Sequence, residues 1–97
     1  MPKAYWIVNN HVHDAATYEA YKRAIAAPFA RHGARFVVRA GPQSVVEGEA
    51  QPRSVVIEFP SYDAALACYE DPEYQAAKVL RAKAADGTLI IAEGYDP

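Results

Sequence analysis

Residues 3–12, KAYWIVNNHV, concentrate aromatic and β-branched side chains, the make-up of a β-strand. Alternation sets Tyr5, Ile7 and Asn9 on one face and Trp6, Val8 and Asn10 on the other. Asp14 then stands as a helix N-cap, with Tyr18, Tyr21, Ile25 and Phe29 recurring behind it as a helical stripe. Pro28 removes a backbone donor and predicts a kink or restart in that helix, and Gly33 supplies a C-cap. Arg35 to Ala40 reads as a second strand, Gly41-Pro42 as a turn, and Gln43 to Gly48 as a short extra strand continuing the hairpin. Residues 53–59, RSVVIEF, form the clearest strand of all; Pro60 stops it and Ser61 caps the helix that follows. Asp71-Pro72-Glu73 repeats the start signal, so the second helical region divides into about 62–70 and 72–85. Gly87 ends it, and Thr88 to Gly94 is the last strand.

The order β-α-β-β-α-β, with the small extra strand, predicts an α+β, ferredoxin-like fold: an antiparallel sheet with two helices on one face. The other face carries the information. Val55, Ile57 and Phe59 oppose Val56 and Glu58, Leu89 and Ile91 oppose Ile90 and Ala92, and Trp6 and Val8 oppose Tyr5 and Ile7. Both faces are apolar, whereas an antiparallel sheet facing water alternates cleanly. A second copy packed sheet against sheet is the economical cover, which predicts a twofold homodimer of the dimeric α+β barrel kind.

Composition narrows the setting. A chain of 97 residues that is 52% hydrophobic is read as one domain over 1–97, with too much apolar content for disorder. No apolar run is long enough to span a membrane, and a net charge of −2 offers no basic excess for nucleic acid. The single cysteine and the absence of a signal-peptide pattern predict a reducing cytoplasm.

Several short segments together resemble a known family. They are Lys3-Ala4-Tyr5-Trp6, the Tyr18/Tyr21 pair, residues 33–39 (GARFVVR), Val46-Glu47-Gly48, Val56-Ile57-Glu58-Phe59-Pro60, residues 72–77 (PEYQAA) and Ala92-Glu93-Gly94. In that order they resemble the small bacterial domain of unknown function 1330, within the dimeric α+β barrel superfamily, over about residues 3 to 95. The resemblance implies a ferredoxin-like protomer, a homodimer and a bacterial cytoplasmic setting. It implies no reaction, no cofactor and no catalytic set. Cys68 departs from the pattern by standing where an aromatic residue is common, and Asn9 to His13 is more polar than usual. The wider superfamily includes heme-degrading and quinone-forming monooxygenases, muconolactone isomerase and chlorite dismutase-type enzymes, but a shared fold does not transfer chemistry.

Four groups of residues could carry chemistry. Glu58 and Glu93 lie on strands expected to neighbour one another or to sit near the sheet centre; a buried carboxylate can serve as general acid or base. The weightier role for Glu58 is an ion pair with Arg39 or Arg35 inside a dimer interface. His11 and His13 share a strand face, but no third ligand is evident, so no metal site is expected. Cys68, in mid-helix beside Glu70 and Asp71, reads as a buried small hydrophobe rather than a nucleophile. Tyr18, Tyr21, Tyr69 and Tyr74 fall where the helices meet the sheet; they could line a pocket for a flat ligand, or simply fill the edges of a small core.

Lys78, Arg81 and Lys83 read as cations complementing a helix C-terminus. Three functions stay open: binding of a small hydrophobic or aromatic metabolite in a helix–sheet cleft; a cofactor-independent monooxygenase or isomerase using Glu58, Glu93, Arg39 and His11; and a structural or stress-related dimer with no small-molecule site.

Overall fold

The computed structural model describes residues 2–96. The elements run β1 (Ala4–Val12), α1 (Ala15–Ala24), α2 (Ala26–Arg31), β2 (Arg35–Arg39), β3 (Arg53–Phe59), α3 (Tyr62–Glu70), α4 (Pro72–Ala84) and β4 (Ala85–Glu93). The starts of α1, α3 and α4 follow from their side-chain caps. The Asp14 carboxylate accepts from the Thr17 backbone N–H at 3.1 Å, Ser61 Oγ from that of Ala64 at 3.1 Å, and Asp71 from that of Glu73 at 2.8 Å, with Pro72 opening α4. The first helical arm breaks at Ile25, one turn before Pro28, whose missing donor leaves the Ala24 carbonyl without its helical partner.

The four strands form one antiparallel sheet in the order β2-β3-β1-β4, which is the ferredoxin-like arrangement expected, with all four helices on one face. Register fixes the faces. Trp6 lies opposite Ile57 and Ile91, and Val8 opposite Val55 and Leu89, all toward the helices. Trp6 is fully buried, donates its indole N–H to the Ala65 carbonyl at 3.0 Å, and is ringed by Tyr74, Phe59 and Phe29 at 4.9, 5.2 and 5.4 Å between centroids. Tyr5, Ile7, Val56, Ile90 and, on β2, Val38 point the other way; Ile7, Val38 and Ile90 are 40%, 42% and 55% exposed. The apolar second face inferred from alternation is therefore real and uncovered in the single chain. Among the described residues, no helix is long and apolar enough to cross a membrane.

Two local readings change. The extra strand at Gln43–Gly48 does not form: residues 40–52 make an exposed arm without regular structure, leaving the sheet where Ala40 takes a positive φ of 58°. Pro42 and Pro52 lack backbone donors, and among the described residues the arm pairs with no strand. Gly87 does not end a helix. It sits inside β4 at φ +153° opposite Asn10, where a Cβ would stand 2.6 Å from Asn10 Cα, so its role is close backbone approach.

Candidate functional site

A cavity of about 30 Å³ lies between α1 and the helix-side face of the sheet. Its floor is Trp6, Val8, Val55, Ile57 and Leu89, in phase along β1, β3 and β4; its roof is Tyr18, Tyr21, Ile25 and Phe29 from the first helical arm. That volume is room for a water or two. The cavity continues outward. An open groove of about 300 Å³ between the first helical arm and β2 shares Lys22, Ile25, Phe29, Phe36 and Arg39 with it. On the far side, Arg81 also borders a second groove of about 300 Å³ with Asn10, Asp86 and Thr88.

The cavity's polar groups are cations and phenols. Arg53, in phase with Val55 and Ile57 on β3, lays its guanidinium over the Tyr18 ring at 4.8 Å from the centroid. Its Nη1 donates to the Tyr18 hydroxyl at 2.9 Å and to Asn10 Oδ1 at 3.4 Å. Arg39 stands 4.1 Å over the Phe36 ring. Arg81 reaches in from α4, and its buried Nε finds no hydrogen-bond partner among the described residues. The Tyr21 and Tyr74 hydroxyls are 3.0 Å apart. Burial pushes both phenols up, and the nearby Arg81 charge acts on both in the opposite direction. Lys22 is paired with Glu19 at 2.8 Å, but among the described residues Arg39, Arg53 and Arg81 make no ion pair. Among the described residues no carboxylate, imidazole or thiol lines the cavity.

The residues singled out from sequence are dispersed. Arg39 lines the cavity because a bulge between Phe36 and Val38 shifts the strand's parity and brings Phe36 and Arg39 to the same face. Glu58 is on the opposite, open face. Lys3 at 3.1 Å and Arg35 at 3.2 Å hold it, and the Lys3 hydrogen bond comes first among the causes that keep its carboxyl below the usual range. Glu93 falls on the helix side at the exposed end of β4, and β1 separates its strand from that of Glu58, so the two glutamates are not brought together.

His11 is exposed on the open face; its ring is 6.5 Å from that of His13, which meets Asp86 at 3.5 Å. Among the described residues no cluster of three metal-ligating groups occurs. Tyr18 and Tyr21 line the cavity, while Tyr74 packs behind Tyr21 against Trp6. Tyr69 lies outside it, beneath the Lys78 ammonium at 5.2 Å. Cys68 is buried, its thiol pushed up to about 12 by burial and then by Asp71.

Asn10, Arg53 and Arg81 were not expected at the site, yet the signal was present. Asn10 and Arg53 interrupt the apolar phase of β1 and β3, and Arg81 shares the inward stripe of Tyr74 and Ala77.

No curated protein sequence matches the chain. Among solved structures it is similar to RPA0582, a protein of unknown function from Rhodopseudomonas palustris, at 23% identity and a TM-score of 0.80, covering 99% of this chain and 85% of that one. It is also similar to SnoaB, a cofactor-independent oxygenase from Streptomyces nogalater (14% identity, TM-score 0.62, 100% and 97% covered). A third is a dimeric protein of unknown function and ferredoxin-like fold from Bacteroides fragilis (19%, TM-score 0.62, 95% and 96% covered). At such identities the likeness is one of fold. Residues 3–95 match the domain of unknown function DUF1330, and the chain belongs to that family.

Proposed function

We propose that this chain is one ferredoxin-like domain that pairs through its open sheet face as a homodimer in a bacterial cytoplasm, and that it binds a small hydrophobic or aromatic metabolite between helices and sheet. The carrying observation is the aromatic cavity that opens into a groove of about 300 Å³ along β2. The cavity itself is too small for such a ligand, so the ring system lies in the groove and only its tip enters. A binding role is favoured over proton-transfer catalysis because, among the described residues, none whose ordinary pKa lies near neutrality lines the cavity. The dimer reading is supported by the apolar open face and by the Bacteroides fragilis relative, which is itself dimeric.

Trp6, the chain's one tryptophan, lines the cavity and reports on it. Native mass spectrometry of gently purified protein, followed by Trp6 fluorescence titration with whatever small molecule is retained, tests the reading. A dimer carrying added mass, with saturable quenching, is the expected result. A bare dimer whose Trp6 emission responds to no aromatic compound would leave the structural-dimer alternative in its place.

A further inference from the structure

We infer that the ligand is an anion, specifically a hydrophobic or aromatic monocarboxylate whose head group enters the cavity among Arg39, Arg53 and Arg81; the inference rests on the cleft reading above. Three guanidiniums border one cavity with no carboxylate among the described residues to balance them. Two of them are already oriented by aromatic faces, Arg39 over Phe36 and Arg53 over Tyr18. That arrangement fixes planar donors while leaving N–H groups free to fork onto an incoming carboxylate. The third carries the buried Nε that finds no acceptor among the described residues, and buried donors rarely go unpaired.

A bound carboxylate supplies the missing acceptor and the missing charge together. One negative charge suits the site better than two: the surrounding walls are Trp6, Val8, Val55 and Leu89, and desolvating a dianion among them costs far more. The groove edged by Ile25, Ala26, Phe29, Ala30 and Phe36 then receives the apolar body, with Arg39 at the junction of groove and cavity.

Isothermal titration calorimetry with 2-naphthoate, methyl 2-naphthoate and 2-naphthyl phosphate tests this at neutral pH. The acid is expected to bind about tenfold or more tightly than its ester, a gap of about 1.4 kcal/mol. Arg39→Gln, at an exposed side chain, is expected to cost the acid more affinity than the ester and so to close most of that gap. Arg53→Gln should do the same where it folds. Acid and ester binding equally well would overturn the charge inference and leave the cleft reading standing. Binding of neither would overturn both, and tighter binding of the phosphate would overturn the monocarboxylate assignment.

Discussion

Truncating Ile90 to alanine should weaken the proposed sheet-to-sheet dimer without unfolding the protomer. Ile90 is 55% exposed on the open face, beside Ile7 at 40% across the β1–β4 ladder. Burying a whole isoleucine side chain contributes ~1.5–3 kcal/mol, so covering the exposed half contributes roughly 1–1.5 kcal/mol per protomer. Twofold symmetry counts each change twice. The variant therefore weakens association by ~2–3 kcal/mol, or roughly 30- to 150-fold in Kd. Val79→Ala is the matched control, because Val79 is 54% exposed but lies on α4, away from the sheet. Sedimentation velocity over a dilution series reads both variants against the native chain, with far-UV circular dichroism confirming that each is folded. Equal dissociation constants for the two variants, or a native chain that is monomeric throughout, would refute the claim that the open face is the interface.

Asp71→Ala should lower the melting temperature by removing the α4 cap together with the acceptor for Arg31 and His32, at 2.9 Å each; differential scanning calorimetry reads the loss. The same carboxyl is held at about 2, first by the His32 hydrogen bond and then by Arg31. Because its folded pKa lies below the unfolded value, its stabilisation is complete above about pH 4 and fades as pH falls toward 2. In the Asp71→Ala variant, acid titration monitored by circular dichroism should accordingly show a shallower loss over that window. Gly87→Ala should cost on the order of 2–3 kcal/mol in urea unfolding, since the new Cβ would press on the Asn9 carbonyl oxygen and sit 2.6 Å from Asn10 Cα. Cys68, fully buried and with its thiol pushed up to about 12, should resist a disulfide reagent at pH 8 until the chain is unfolded; rapid labelling of native protein would contradict its burial.

What could be read from the chain divides along a physical line. Period-two alternation reports which residues share a face, so Trp6 with Val8 and Tyr5 with Ile7 were separable before any coordinates. Caps and prolines report boundaries, and Asp14, Pro28, Ser61 and Asp71-Pro72 all act where their chemistry requires. Alternation says nothing about which strands are neighbours. The separation of Glu58 from Glu93 follows from β1 lying between β3 and β4, a fact of topology. Nor does it survive a bulge: strict parity would place Arg39 and Phe36 on opposite faces, and the irregularity at Val37 reunites them at the cavity. Arg81 was legible as part of a stripe, but a basic residue in a last helical turn has a sufficient explanation in the helix dipole, and that explanation hid its burial.

On the proposed reading the two sides of the sheet serve two tasks, pairing and ligand binding, and β1 interleaves the residues of both. Trp6, Val8 and Asn10 belong to the cavity side; Tyr5, Ile7 and Asn9 belong to the open face. Asn9 also anchors the exposed arm: its amide donates to the Gln51 carbonyl at 3.1 Å, and the Gln51 backbone N–H donates back to Asn9 Oδ1 at 2.8 Å. One position further, Asn10 accepts from Arg53 and donates to the Tyr18 hydroxyl at 3.4 Å within the site. Consecutive asparagines therefore link the arm on one side to the arginine cluster on the other through a single rigid strand. If both proposals hold, substitutions on either face should act on one task alone, with the adjoining pair Asn9 and Asn10 as the place where the proposed pairing and the proposed cleft touch the same stretch of backbone.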